Sequence, residues 1–173
     1  MTPTDSYDYD GVLIKPTGVI ERRQLNQELE DLKSDELDRL LTGYTLTKVD
    51  KSMIEAYNLG YRSKVNGDFV NPNKLVLNGY IRKNSKKLRD YRYVSARSTM
   101  PRFLMHRFQA LIKFGPAALF RPRQVVTFKN DTTLDCSFDN IIIDSSVHVA
   151  TRYHENRRRA QEGEDHVRDN KEV

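Results

Sequence analysis

The sequence has few of the residues that build redox, metal and membrane sites. Its single cysteine, Cys136, excludes an internal disulfide framework and a zinc site made of several cysteines. No apolar run approaches the roughly 20 residues of a membrane helix, and the first ten residues are acidic and polar, unlike a secretory signal. No glycine-rich phosphate loop, nucleophile elbow, Cys/His protease pattern or internal repeat is present. We therefore expect a cytoplasmic protein with no cofactor and no membrane partner.

Acidic residues are nearly missing from the middle of the chain. Residues 74–129 contain 14 Lys and Arg against one acidic residue, Asp90, whereas residues 1–40 contain 5 basic and 10 acidic residues. The net charge of +5 for the whole chain hides this contrast. A charge run is usually only a solvated face, but so many cations with a single anion favour binding to nucleic-acid phosphates.

The hydrophobic spacing predicts an α+β fold with an N-terminal helical segment, a small antiparallel β module and a C-terminal ββα motif. Residues 1–18 lack periodicity and predict an extended arm. Leucines at helical spacing predict two short helices, or one kinked helix, from Ile20 to Gly43. Short strands are predicted within 44–82, with a hairpin turn at Asn66-Gly67 because this pair accepts positive φ values.

The second half of the chain carries clearer signals. Residues 83–99 predict a long basic hairpin or loop, and the apolar stripe in 103–115 predicts a core-facing helix that ends at a glycine. Residues 121–128 and 140–144 are predicted strands. Ser145 or Ser146 then opens a polar helix that we expect to end near Gly163, before a frayed tail.

A succession of short motifs resembles homing endonucleases of the phage HNH type, which carry a small β-rich module before the ββα-metal motif. The motifs are Asn58-Leu59-Gly60, Arg62-Ser63, Gly67 to Pro72, Asn78-Gly79-Tyr80, His106-Arg107, Asp139-Asn140-Ile141 and the helix ATRYHENRRRA at 150–160. The resemblance covers residues 44–163, and residues 1–43 have no counterpart. It implies a bacteriophage-type protein acting in the cytoplasm of a bacterial host. The predicted parts are an acidic arm with helices (1–43), a β-rich module with a basic hairpin (44–100), a degenerate HNH-like ββα region (101–163) and a charged tail (164–173).

The departures from this family pattern concern catalysis. An active site of this type needs a hard-cation ligand beside a histidine that deprotonates water, and a third ligand from the helix. The alignment places Thr127 and Phe128 at the paired positions and replaces the Asp-Gly-Asn turn by Asn130-Asp131-Thr132, so that only Asn156 survives. Because a lone amide does not hold Mg²⁺, the resemblance implies an inactive HNH-like scaffold with no catalytic residues and no bound metal.

Nucleic-acid binding is assigned to the basic block and to the terminal helix. The tyrosines of the basic block, Tyr80 among them, offer rings for base stacking or for apolar packing. The candidate binding residues are Arg82, Lys83, Lys86, Lys87, Arg89, Tyr91, Arg92, Tyr93, Arg97, Arg102, Arg107, Arg121, Arg123, Arg157, Arg158 and Arg159. Family precedent favours DNA, whereas Arg and Tyr on a hairpin suit structured RNA, ribosomal RNA included, equally well.

Two other functions remain open. One is a divalent-metal nuclease with a rearranged site made of Asp131, His154 and Asn156. The other is a host-takeover adaptor whose acidic residues 21–41 bind a basic protein, for example within a ribosome-like assembly. The aspartates of 131–144 are expected to serve as turn caps, and His106 is expected to be a helix-start or core residue.

Overall fold

A computed structural model describes residues 7–34, 46–82, 90–119 and 124–169, with side chains over 10–31, 46–82, 90–119 and 124–163. Within these ranges the chain is α+β, as the sequence predicts. The helices are α1 (Leu25–Ser34), α2 (Lys48–Asn58), α3 (Met105–Phe114) and α4 (Ser146–Asp169). The strands are β1 (Tyr7–Tyr9), β2 (Val12–Ile14), β3 (Val19–Arg22), β4 (Arg62–Lys64), β5 (Phe69–Val70), β6 (Val76–Leu77), β7 (Tyr80–Arg82), β8 (Tyr91–Val94), β9 (Phe103–Leu104), β10 (Gln124–Phe128) and β11 (Ile141–Ser145).

Strands β1 to β6 form one antiparallel sheet in sequence order. The described part of the predicted extended arm, from residue 7, forms β1 and β2 of this sheet, and the predicted helical start at Ile20 is wrong because Ile20 lies in β3. Val12, Ile14 and Ile20 are buried, which is the period-two burial of a strand. Ile20 pairs with Ser63 of β4, so the sheet joins residues from both sides of the predicted boundary at 43–44.

The prediction of short strands from residue 44 onwards is also wrong at residues 48–58, which form helix α2. Helix α2 begins there, because the Thr47 hydroxyl accepts from the Asp50 amide at 3.1 Å and the Asp50 carboxylate accepts from the Thr47 amide at 3.0 Å. This reciprocal capping satisfies two free donors of the first turn. Helix α1 confirms a helix within the predicted segment from Ile20 to Gly43, and the rest of that segment after α1 lies outside the described residues.

Strands β7, β8 and β9 form a second antiparallel sheet, in which Tyr80 faces Tyr93 and Tyr93 faces Leu104. Strands β10 and β11 form a separate hairpin that leads directly into α4. The predicted Asn66-Gly67 hairpin, the strands within 121–128 and 140–144 and the helix ending at Gly115 are confirmed. Of the predicted basic hairpin or loop over 83–99, residues 83–89 lie outside the described residues, and the remainder supplies β8, which pairs with β7 and β9. The predicted end of the last helix near Gly163 is wrong, since α4 continues to Asp169.

Helix α3 lies at the centre of the hydrophobic core. Its side chains Phe108, Leu111 and Ile112 are fully buried. Phe108 packs against Phe69 of β5 and Phe103 of β9, with ring centroids 5.3 and 5.4 Å apart. The core therefore joins the first sheet to the second through one helix.

Arg22 fastens the first sheet to the end of α3. Its guanidinium donates to the backbone carbonyls of Ile112 at 3.2 Å and Lys113 at 3.0 Å, and it pairs with Glu28 of α1 at 2.7 and 2.8 Å. The carbonyls at a helix C-terminus have no partner within the helix. Arg22 thus satisfies two of them while neutralising one carboxylate, and no sequence pattern near Arg22 indicates this role.

No helix among the described residues is long and apolar enough to cross a membrane.

Candidate nucleic-acid interface

The loop between β10 and β11 is held closed by Asn140. This buried side chain accepts from the Asn130 amide at 2.9 Å and donates to the Asp135 carbonyl at 2.8 Å. Its backbone carbonyl also accepts from the Lys129 amide at 2.7 Å. One residue therefore cross-links both ends of an irregular loop, which fixes the loop relative to the hairpin.

The β4–β5 turn and α3 both contact the same loop. Gly67 has a φ of +94°, and a Cβ there would lie 2.7 Å from the carbonyl carbon of Cys136. Lys113 of α3 donates to the carbonyls of Phe138 at 2.5 Å and Ile141 at 3.1 Å. Burial lowers the pKa of Lys113, and the nearby Lys129 acts in the same direction. The loop is consequently part of the rigid body of the protein.

Helix α4 is docked on the hairpin by Arg152. Its guanidinium lies 3.2 Å from the Asp131 carboxylate and 3.4 Å from the Phe128 carbonyl. The Ser145 hydroxyl accepts from the His148 amide at 3.0 Å, which caps the helix start. Asp144 pairs with His148 at 2.8 Å, and this hydrogen bond lowers the pKa of Asp144. The predicted helix opening at Ser145 or Ser146 is confirmed.

The two positions aligned with a metal ligand and a general base are buried in the core. Thr127 is 5 % exposed and Phe128 is 3 % exposed. The Phe128 ring packs 4.7 Å from the His106 ring and 6.4 Å from Tyr91. Burial, with a contribution from Arg107, lowers the pKa of His106 to about 3, so this histidine is neutral and belongs to the core as predicted.

The rearranged metal site has little geometric support. Asp131 is engaged by Arg152, and His154 lies two residues further along α4 than Arg152, about 200° round the helix. Only Asn156 shares the hairpin-facing side, one turn beyond Arg152. Among the described residues no three His, Cys, Asp or Glu side chains are grouped to hold a metal ion. Burial also raises the pKa of Cys136 to about 11, against its use as a thiolate ligand.

The predicted binding residues divide into three sets. The first set is exposed and takes part in none of the ion pairs of the described chain; it comprises Arg82, Arg97, Arg102, Arg157, Arg158 and Arg159. These six residues are called the outer arginines below. The second set is half-buried and comprises Tyr91, Arg92, Tyr93 and Arg107. The third set lies outside the described residues and comprises Lys83, Lys86, Lys87, Arg89, Arg121 and Arg123.

Two members of the second set serve the fold. Arg107 pairs with the buried Asp50 at 2.8 Å and so ties α3 to the start of α2. Tyr91 packs against His106 with ring centroids 5.7 Å apart. The Arg92 Nε atom is buried and has no hydrogen-bond partner in the structure. A long-range carboxylate partner leaves no local sequence signal, so the role of Arg107 is not readable from the block of charge.

Sequence reasoning missed the exposed aliphatic side chains Leu75, Val76 and Ile81 in and before β7, whereas it did offer Tyr80 of β7 as a stacking ring. Leu75, Val76, Tyr80 and Ile81 are 63 %, 44 %, 51 % and 45 % exposed. A signal existed, since apolar residues at adjacent positions of a short strand must point to both faces of the sheet. Arg102 lies with its Cζ atom 5.1 Å from the centroid of the Tyr80 ring.

No protein-family model, no curated protein and no solved structure matches this chain significantly.

Proposed function

We propose that the chain is a non-enzymatic nucleic-acid-binding protein of bacteriophage type on a catalytically inactive HNH-like scaffold. Its ligand is the phosphate backbone of structured RNA or of DNA. The observation that carries the proposal is the set of outer arginines, which are exposed and have no carboxylate partner among the described residues. Unpaired cations on a rigid frame attract phosphates without any cost for breaking an internal ion pair.

The order of elements in the C-terminal region supports the scaffold part of the proposal. An antiparallel hairpin of β10 and β11 runs directly into α4, and Arg152 joins the helix to the hairpin. Asp131, which stands where the family pattern has the glycine of its Asp-Gly-Asn turn, has a φ of +59°. Such a backbone conformation is the one that favours glycine. The turn geometry of the motif is therefore compatible with this sequence.

The burial of Phe128 supports the loss of catalysis. Its ring is enclosed by His106 and Tyr91, where it can neither accept a proton nor ligate a cation. Asp131 is neutralised by Arg152. A nuclease would need a different hydroxide-generating centre.

The proposal is tested by binding at two salt concentrations. Duplex DNA, single strands and structured RNA are titrated by fluorescence anisotropy at 50 and 200 mM salt. We expect binding that weakens steeply with salt, because each neutralised phosphate releases counterions. The variant Arg157→Ala, Arg158→Ala, Arg159→Ala should bind more weakly and reduce the salt slope by up to about 3.

The matched control removes three exposed cations outside the predicted block, in the variant Arg23→Ala, Lys48→Ala, Lys51→Ala. It loses the same charge and should keep the original salt slope. Absence of binding to all three ligands, or binding indifferent to salt, contradicts the proposal. Cleavage of plasmid or RNA that needs Mg²⁺ and disappears in Asn156→Ala would instead establish a nuclease.

A further inference from the structure

One face of the second sheet carries Tyr80, Tyr91 and Tyr93 beside Arg82; Tyr91, the register partner of Arg82, packs on His106 and Phe128 at one end of this face. Tyr80 of β7 is directly opposite Tyr93 of β8, and Tyr93 is opposite Leu104 of β9. Since alternate residues of a strand share a face, Arg82 lies on the same face as Tyr80. Arg102 is two residues before Leu104 and extends this face, with its Cζ atom 5.1 Å from the Tyr80 ring centroid.

Tyr80 does not serve the hydrophobic core. Its side chain is 51 % exposed, whereas Tyr91 on the neighbouring strand packs against His106 and Phe128. Among the described residues, the Tyr80 ring makes a cation–π contact with Arg102. The exposed ring is available to a ligand, and it lies between the unpaired cations Arg82 and Arg102.

We propose that this face binds a single-stranded segment of nucleic acid, with an unpaired base stacked on Tyr80 and the flanking phosphates bound by Arg82 and Arg102. The inference rests on the proposed nucleic-acid binding and specifies the form of the ligand. In a duplex the π-faces of the bases are covered by their neighbours, so an exposed tyrosine gains no stacking there. An unpaired base offers its π-face to an aromatic side chain, while cations beside it follow the backbone.

The charge of the region is complementary to this ligand. The described part of the basic block, 74–82, 90–119 and 124–129, contains one carboxylate, Asp90, at the start of β8. Arg97, in the segment that follows β8, adds a third exposed cation. An acidic peptide would satisfy these cations but would not need the flat ring between them. The ring together with the cations is thus the feature that selects a nucleic acid.

The absence of tryptophan from the sequence makes a direct test possible. In a Tyr80→Trp variant the indole is the only tryptophan, and stacking of a base quenches its fluorescence. We expect saturable quenching by an oligothymidylate or an oligouridylate and little by a duplex hairpin of equal length. A Thr17→Trp variant, in the exposed turn between β2 and β3, should show no quenching with either ligand.

Affinity measurements separate stacking from charge. Tyr80→Ala should raise the Kd for the single strand about 5- to 100-fold and leave the duplex Kd unchanged, because a base–aromatic stack contributes on this scale. Tyr80→Phe keeps the ring and should stay within about twofold of the original Kd.

Different experimental results would contradict the stacking site and the general nucleic-acid binding. If the protein binds nucleic acid with a steep salt dependence but Tyr80→Ala changes nothing and Tyr80→Trp is not quenched, the stacking site is refuted and the general binding stands. If quenching is equal for single strand and duplex, the preference for unpaired bases is wrong. If no nucleic acid binds at low salt, both proposals fall together.

Discussion

Two groups of arginines in the described chain differ: one is paired with carboxylates within the fold, and the other is exposed at the surface. Arg22, Arg62, Arg107 and Arg152 are half-buried, and each meets a carboxylate within 3.2 Å. The outer arginines are exposed and meet none within the described chain. The residue type is the same in both groups, so the difference arises from what the fold brings beside each side chain.

The comparison shows that charge density along the sequence is a poor guide to which arginines stay exposed and without a carboxylate partner. Arg107 lies in the basic block, yet it forms an ion pair with Asp50, 57 residues away, and is half-buried there. Residues 151–173 have no net charge, yet Arg157, Arg158 and Arg159 there are exposed on α4. A carboxylate that is close in space decides the group, whether it lies six residues away, as Glu28 does from Arg22, or 57 residues away, as Asp50 does from Arg107.

The largest effect is expected for Arg22→Ala, which should lower the free energy of unfolding by about 3 kcal/mol. It removes the partner of Glu28 and leaves the carbonyls of Ile112 and Lys113 unsatisfied at the end of α3. Urea denaturation measures it, with Arg23→Ala as the exposed control expected within about 0.5 kcal/mol of the original protein. A loss below about 1 kcal/mol for Arg22→Ala would show that this pairing does not hold the sheet to α3.

The buried His106 and the exposed His154 extend the comparison to pH. His106 has a pKa of about 3 against an ordinary 6.5, because burial disfavours its charged form. Below pH 6.5 the unfolded chain takes up a proton that the folded chain cannot, so stability is lost as the pH falls towards 3. At pH 5 this group should contribute a loss of about 2 kcal/mol relative to neutral pH.

The variant His106→Phe should remove that part of the acid sensitivity while preserving an aromatic ring in the core. His154→Gln, at an exposed position on α4, should leave the pH profile unchanged. Denaturation at pH 5 and pH 7 gives both differences, and the carboxylates common to all the proteins cancel. An unchanged pH profile in His106→Phe would contradict the assignment.

Arg107 and Arg102 form the closest matched pair from the two groups. Arg107→Ala leaves Asp50, whose side chain is 4 % exposed, without its cation and should destabilise the protein by about 1.5 kcal/mol. Arg102→Ala should change stability by less than about 0.5 kcal/mol and weaken nucleic-acid binding instead. Thermal unfolding and anisotropy on both variants decide the matter. The reverse pattern would place Arg107 in the interface.

The smallest change in stability is expected for Arg157→Ala on α4. The side chain is exposed and unpaired, so the free energy of unfolding should stay within about 0.5 kcal/mol. The slope of log Kd against log salt should fall by about 1 for the phosphate contact that is lost. Binding that keeps its full salt slope would remove α4 from the interface.

The spacing of apolar residues predicted the elements that bury a long apolar stripe and those that lie next to a glycine turn. Helix α3 shows the 3.6-residue repeat over ten residues, and the β10–β11 hairpin carries consecutive aliphatic residues in both strands. Strands β1 to β3 were not predicted because three or four residues in a polar setting show too little alternation of apolar and polar side chains. The start of α2 was missed because Thr47 and its neighbours have strand propensity, while the decisive Asp50 acts as a cap.

For the candidate site, the exposure of several cations could be predicted from the sequence, whereas the partners of the half-buried cations could not. The sequence identifies Arg82, Arg97 and Arg102 as surface candidates because the block lacks acids. It cannot show that Arg107 meets Asp50, because the contact depends on how α2 packs against α3. The exposure of Tyr80 similarly follows from the edge position of β7 in its sheet.

The Arg22 contacts also mean that strands β1 to β3 cannot complete their packing before α3 is made. The carbonyls that it binds lie 90 and 91 residues further along the chain, so strands β1 to β3 leave a ribosome long before their closing contact exists. Contacts that join such distant residues form only after a large loop has closed. A nascent chain that stops before α3 leaves Val12 and Ile20 without the core that buries them. Strands β1 to β3 thus depend on α3 for their packing and are not a detachable arm.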